Sequence, residues 1–243
     1  MFDIVGDVHG CHEELRELLD RLGYRDLTPP EGRSLVLVGD LVDRGPKVAE
    51  VLDLIMRMER AGAARCVMGN HDAKLLRHLR GRPVTISHGL DASIEQLERM
   101  PAAFRQSAAG YLAAMPSHLV LDGGRLVVAH AGLPEELHGT ESSRVRSFAL
   151  YGDPTGRYDE HGLPIRRDWA ADYRGEALVV YGHTPLVEPQ WVNGTINIDT
   201  GCVFGGALTA LRYPERELIQ VNARRVYCPS PRIDYRGRRR NVQ

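Results

Sequence analysis

Leu35-Val36-Leu37-Val38-Gly39-Asp40-Leu41-Val42-Asp43-Arg44-Gly45 passes from an unbroken apolar run into a turn carrying two carboxylates and an arginine. An apolar run without alternation predicts a strand covered on both faces, as in parallel sheets. The same order of strand, polar turn and helix recurs on either side of it. Residues 2–5 read as a short strand stopped by Gly6, and residues 12–22 carry Leu15, Leu18, Leu19 and Leu22 at helical spacing. Residues 48–60 put Val48, Val51, Leu52 and Ile55 on one helix face. Residues 65–68 read as a third strand and 73–80 as the helix that follows it. The predicted class is α/β, with polar groups on the loops at the carboxyl ends of the strands, where such folds build their sites.

Beyond residue 90 the pattern changes. Residues 91–116 predict two helices with an alanine-rich surface, a candidate lid. Strands are expected at 119–122, 126–129, 177–181, 195–198, 207–212 and 217–221. The glycine-rich stretch 151–175 reads as loop. Residues 224–243 hold seven arginines and one acid, and are expected to form a mobile Arg-rich tail after a domain spanning 1–223.

The 243 residues, 43% hydrophobic and 26% charged, suit one large globular unit. A net charge of −1 supplies no overall basic field for nucleic acid or an anionic membrane. Cys11, Cys66, Cys202 and Cys228 form no C-x-x-C pair, which fits a reduced, cytoplasmic setting. Neither a secretory leader nor an apolar run long enough to span a bilayer is visible, so no membrane association is expected. Nothing in the sequence signals an oligomeric state.

Five segments place metal-ligand residue types on a turn after an apolar strand: Gly6-Asp7-Val8-His9-Gly10, Gly39-Asp40 to Gly45, Gly69-Asn70-His71-Asp72, Ala129-His130-Ala131-Gly132 and Gly182-His183-Thr184. Glycine beside a ligand lets the backbone approach an ion closely. Carboxylate, amide and imidazole donors without thiolate suit Mn, with Ni, Fe or Zn as alternatives, and disfavour a structural zinc site. Asp7 and His9 can face one ion, Asp40 can bridge two, and Asn70, His130 and His183 can complete the second. Two divalent ions roughly 3.5–4 Å apart would lower a water pKa toward ~7 and favour a phosphate dianion.

On these motifs the sequence resembles the PPP branch of the calcineurin-like metallophosphoesterases. It is similar in particular to the phosphatase domain of bacterial polynucleotide kinase-phosphatases. Arg146 to Gly152, Asp168 to Gly175, Glu188 to Asn193, Asn197 to Gly206 and Leu211 to Glu217 carry that finer likeness. Stand-alone relatives include diadenosine tetraphosphatases and small protein phosphatases. The resemblance implies a four-layer α/β/β/α sandwich with two mixed sheets, and a metal set of Asp7, His9, Asp40, Asn70, His130 and His183. It further implies that Arg44 binds phosphate and that His71 protonates the leaving group with Asp72 orienting it. Asp199 would hold Arg44 by an ion pair, and Asp43 competes for that place. Arg44, Asn70 and His71 would face the substrate.

The implied activity is binuclear metal-dependent hydrolysis of phosphomonoesters, with RNA 3′-phosphate or 2′,3′-cyclic phosphate ends first, as in RNA repair. Diadenosine tetraphosphate and phosphoprotein are the alternatives, and a metal-bound binding module is the non-enzymatic one. No Gly-x-x-x-x-Gly-Lys-Ser/Thr loop occurs, so a kinase half is not visible.

Overall fold

The computed structural model describes residues 1–230 together with Ile233 and Tyr235. The first half alternates strand and helix: β1 (Phe2–Val5), α1 (His12–Leu22), β2 (Ser34–Leu37), α2 (Val48–Arg60), β3 (Ala64–Cys66) and α3 (Asn70–Leu79). Two further helices, α4 (Leu90–Glu98) and α5 (Ala102–Ala114), precede β4 (His118–Leu121) and β5 (Leu126–Ala129). Next come α6 (Ser143–Tyr151), β6 (Pro154–Tyr158), β7 (Pro164–Arg166), α7 (Trp169–Asp172) and β8 (Leu178–Tyr181). The last elements are β9 (Gln190–Val192), β10 (Thr195–Asn197), β11 (Ala207–Tyr213) and β12 (Glu217–Asn222).

Two mixed five-stranded sheets result, ordered β12-β11-β1-β2-β3 and β4-β5-β8-β10-β9. In the first, β1, β2 and β3 run parallel and β11 joins β1 antiparallel. In the second, β5, β8 and β10 run parallel, flanked by antiparallel neighbours. Successive strand residues point to opposite faces, so each central strand feeds two cores. Val36 and Val38 meet Leu126, Val128, Val180 and Ile196 between the sheets, while Leu35 and Leu37 face α1 and α2. Val127 and Val179 point outward toward Tyr173, beside the α6 cluster of Val145 and Ala149. This is the expected four-layer α/β/β/α sandwich. It explains why the runs do not alternate: both faces are covered. Each fully buried leucine of α1 contributes roughly 1.5–3 kcal/mol by leaving water.

Several local expectations differ from the structure. The helix expected at 73–80 begins at Asn70, so Asn70, His71 and Asp72 form its first turn. The stretch 151–175 contains the β6–β7 hairpin and the short α7, and 190–192 adds an edge strand. Residues 91–116, expected as a candidate lid, form most of α4 and all of α5. Leu97, Ala108 and Leu112 are buried in the core around α2 and α3, and none of these residues lines the cleft described below. Residues 224–230, the start of the expected tail, are tied to α1 at two points. Arg224 N–H and Tyr227 O–H both donate to Glu14 Oε1, at 2.9 and 2.7 Å. Tyr235, 3% exposed, donates to the Leu186 carbonyl at 3.0 Å. The other arginines expected in the tail, Arg232, Arg236, Arg238, Arg239 and Arg240, lie outside the described residues. No helix among the described residues is long and apolar enough to cross a membrane.

Candidate metal centre

The five turns converge at the carboxyl ends of the parallel strands. Asp7 and His9 follow β1, Asp40 follows β2, Asn70 opens α3 after β3, His130 follows β5 and His183 follows β8. His9, Asp40, Asp43, Arg44 and His183 all take positive φ, between 43° and 72°. Left-handed backbone at non-glycine residues costs of order 1–3 kcal/mol and clusters where the fold over-determines a site. Glycine makes the close approaches possible. A Cβ on Gly69 would lie 2.2 Å from Asp40 Oδ1, and one on Gly182 would lie 2.1 Å from Asp7 Oδ1.

The structure brings the donor atoms of His9, Asp40, Asn70, His130 and His183 together and sets the Asp7 carboxylate against the His183 backbone. Asp40 Oδ2 lies 3.6 Å from His9 Nε2 and 3.4 Å from His130 Nε2, so one carboxylate oxygen stands between two imidazoles. Donor atoms of Asp40, His9 and His71 fall within 4.8 Å of one another, and so do those of Asp40, His130 and His183. Asn70 Oδ1 is 2.9 Å from His130 Nε2 and 2.8 Å from His183 Nδ1. Asp7 accepts the His183 backbone N–H at 3.2 Å.

Tautomers are set from behind. His9 Nδ1–H donates to the Val42 carbonyl at 2.7 Å and His130 Nδ1–H to the Val38 carbonyl at 3.0 Å. Each then presents its Nε2 lone pair to the cluster, the arrangement that prepares a metal-ligating imidazole.

The electrostatics fit a cation. Burial holds the Asp7 and Asp40 carboxyls well above the usual range, reinforced for Asp7 by Asp199 and for Asp40 by Asp72. Burial also pushes the imidazoles down, His130 to about 3 and His9 and His183 well below normal. Neutral His130 Nε2 faces the amide oxygen of Asn70, lone pair to lone pair. His183 turns Nδ1 to the same amide oxygen at 2.8 Å and to His130 Nε2 at 3.0 Å, so further lone pairs crowd the same point. A divalent ion answers both conditions, because it stabilises the carboxylates and accepts the lone pairs. The residues therefore fit such an ion.

Around these donors lies a cleft of about 370 Å³ lined by Arg44, Asn70, His71, Arg166, His183 and Phe204, among others. Arg44 donates to His9 Nε2 at 2.5 Å and to His71 Nε2 at 2.8 Å, with its guanidinium carbon 5.1 Å from the Phe204 ring centre.

Two expected partnerships change. Asp72 does not orient His71. It accepts the backbone N–H groups of Asp40, Leu41 and Gly69, at 2.7, 3.0 and 3.0 Å. His71 Nδ1–H meets Asp43 Oδ2 at 2.6 Å instead. Asp199 makes no ion pair with Arg44 among the described residues. Its Oδ1 accepts the Gly201 N–H at 3.0 Å, and burial raises its carboxyl to about 6.

Three contributors escaped the sequence reading. Ser93 of α4 donates to Asp43 Oδ1 at 2.6 Å and accepts the Asp43 N–H at 2.8 Å. Gln96, one turn on, donates to the Gly45 carbonyl at 3.0 Å and accepts the Val48 N–H at 2.6 Å. Arg166 lines the cleft from the β6–β7 hairpin, its Nε donating to the Tyr151 carbonyl at 2.7 Å. No local motif marks any of the three.

Comparison with known proteins agrees with this geometry. The calcineurin-like phosphoesterase family matches residues 1–227. A bis(5′-nucleosyl)-tetraphosphatase PrpE [asymmetrical] from Anoxybacillus flavithermus is 46% identical, covering 91% of this chain and 94% of that protein. The protein of the same name from Bacillus subtilis is 47% identical over 90% of this chain and 93% of its own length. A crystal structure described provisionally as a diadenosine tetraphosphatase superposes with a TM-score of 0.63 at 27% identity, over 91% of this chain and 93% of that one. A serine/threonine phosphatase from Saccharomyces cerevisiae shares the fold, with a TM-score of 0.64 at 16% identity over 94% and 81%.

The expected likeness to polynucleotide kinase-phosphatases is corrected by these relatives, which are named for tetraphosphates and not for polynucleotide ends. The core motifs build the shared fold and its donor turns, so they do not discriminate among substrates. The chain belongs to the calcineurin-like phosphoesterases and is a hydrolase.

Proposed function

We propose that this hydrolase cleaves dinucleoside tetraphosphates asymmetrically, using two divalent cations held by Asp7, His9, Asp40, Asn70, His130 and His183. The observation that carries the metal reading is the Asp40 carboxylate, shared between the His9–His71 and His130–His183 groups. The substrate reading draws on the tetraphosphatase relatives, whose likeness spans nearly the whole of both chains. RNA-end repair, expected first from the sequence, has no such support. Oxygen and imidazole donors suit Mn2+, with Ni2+, Fe or Zn2+ able to take the same set.

Bound there, the cations would supply positive charge to phosphate oxygens and lower the pKa of a water. The protein's own groups do the rest. Arg44 offers a planar fork to a non-bridging phosphate oxygen. His71, held through Nδ1–H by Asp43, turns Nε2 toward the cleft; that nitrogen must first take up a proton, with the Asp43 carboxylate balancing the imidazolium charge, before it can hand the proton to the departing oxygen. Arg166 reaches the same cleft from the opposite hairpin and offers a second guanidinium.

The test is product analysis with metal-loaded protein. Diadenosine tetraphosphate should yield ATP and AMP in equal amounts, with RNA 3′-phosphate and phosphopeptide turned over far more slowly. Formation of ADP alone, or faster release of phosphate from the RNA or the peptide, would overturn the substrate reading.

A further inference from the structure

We propose that one face of α3, from Asn70 through Lys74 to Arg77, carries the polyphosphate chain of the substrate beyond the phosphate that is attacked. The inference rests on the reading of the chain as a dinucleoside-tetraphosphate hydrolase, and it names the residues that would distinguish such a substrate from a simple phosphomonoester.

Positions 70, 74 and 77 share one face of a helix. With a rise of 1.5 Å per residue, Lys74 stands about 6 Å and Arg77 about 10 Å along the axis from Asn70. That face opens onto a second cleft, of about 330 Å³, lined by Asn70, Lys74, Arg77, Pro83, Val84 and Tyr151, among others. Asn70 and Tyr151 also line the cleft of the metal centre, so the two clefts adjoin. A chain of phosphates leaving the centre past Asn70 therefore meets a lysine and then an arginine. Pro83, Val84 and the half-exposed Tyr151 ring offer apolar surface for the nucleoside at its end.

The charges on this face are not neutralised by acids. Lys74 Nζ donates to the carbonyl and the hydroxyl of Ser87, at 3.0 and 2.9 Å, and Arg77 donates to the Pro83 carbonyl at 3.3 Å. Neither has a carboxylate partner among the described residues. Some other cations are paired, Lys47 with Glu13, Arg21 with Glu17, Arg57 with Asp53 and Arg167 with Asp153, so an unpaired charge is not peculiar to this face; what sets Lys74 and Arg77 apart is that they line a cleft adjoining the metal centre. Neutral acceptors hold Lys74 in position and leave its charge for an anion. The charge also reaches the metal centre, where it bears on Asp43 and His71. Arg77, in the last turn, complements the helix dipole, but Lys74 lies mid-helix, where that role does not apply.

The probe is inorganic tripolyphosphate, compared with orthophosphate, as an inhibitor of p-nitrophenyl phosphate hydrolysis by the metal-loaded full chain. The ratio of the two inhibition constants is read within each variant, so a change in turnover does not enter. Lys74→Ala and Arg77→Ala should each shift that ratio about tenfold against tripolyphosphate, and Lys74→Arg should restore it. An unchanged ratio in the Lys74→Ala/Arg77→Ala double variant overturns the track. Turnover of diadenosine tetraphosphate, measured in parallel, separates the two readings. A shifted ratio without ATP and AMP production leaves the track standing and sinks the substrate. Production of ATP and AMP with an unshifted ratio sinks the track alone.

Discussion

His71 Nδ1 lies 2.6 Å from Asp43 Oδ2, and both groups are almost wholly shielded from solvent. The contact fixes the histidine tautomer and aims Nε2 at the cleft. Asp43 is itself clamped by Ser93, so α4 sets the direction of His71 from outside the site. Asp43→Asn replaces the acceptor with a group that can turn its N–H toward the ring. We expect kcat to fall about 10- to 100-fold with metal content retained, since such supporting partners typically have effects of that size. The loss should be larger for an alkyl phosphate than for p-nitrophenyl phosphate, whose leaving group needs little protonation. Equal losses on the two substrates would remove His71 from the proton-donor role.

Asp72→Ala should behave differently. Its carboxylate satisfies three backbone N–H groups that shape the Asp40 turn, and each buried donor left unpaired costs about 1–3 kcal/mol. Burial raises this carboxyl to about 7, and the three N–H bonds oppose that rise. The expected result is a clear drop in Tm and an activity loss that is the same for good and poor leaving groups. A variant with the parental Tm and a selective loss on alkyl phosphate would return Asp72 to the side of His71.

The contrast between these two aspartates shows where a sequence is readable. The donor turns were legible because each lies directly after its own strand, and the parallel order of β1, β2 and β3 brings those strand ends together. The covered strands Leu35–Val38 and Leu126–Ala129 were legible for the same local reason. Asp72 was misread because neighbours on a helix do not face each other, and Asn70 to Asp72 form the first turn of α3. His71 therefore turns to the cleft while Asp72 turns under the helix. Arg44 meets His9, His71 and the Phe204 ring, which come from three segments far apart in sequence, so spacing could not name its partners. The β6–β7 hairpin that carries Arg166 has mostly exposed strands and no apolar alternation to announce it.

Asp40→Ala tests the shared carboxylate without relying on turnover. Titration of Mn2+ into the metal-free wild type should raise its Tm, because a ligand that binds only the folded state stabilises it, by about 2.7 kcal/mol at a hundred times Kd. In the variant that rise should vanish, and elemental analysis should find neither ion. Two equivalents of metal retained by Asp40→Ala would refute the bridging role.

A separate histidine should make stability depend on pH. His118 opens β4 and is buried. The Gly139 N–H donates to its Nε2 at 3.0 Å, so that nitrogen carries the lone pair and Nδ1–H donates to Ser117 Oγ, also at 3.0 Å. Ser117 Oγ in turn donates to Glu141 Oε1 at 3.1 Å. Burial lowers the His118 pKa below its usual 6.5, with Glu141 opposing and His138 assisting. The unfolded chain therefore takes up this proton first as pH falls. The stability contributed by neutral His118 is complete above about pH 6.5 and is lost progressively below it. Tm should accordingly fall between about pH 7.5 and 5.5, in part through this residue. His118→Gln offers Gly139 an amide oxygen that does not titrate, and it should flatten that part of the slope. If the Tm profiles of the variant and the wild type run parallel across this range, the lone pair on Nε2 is not what the acid removes.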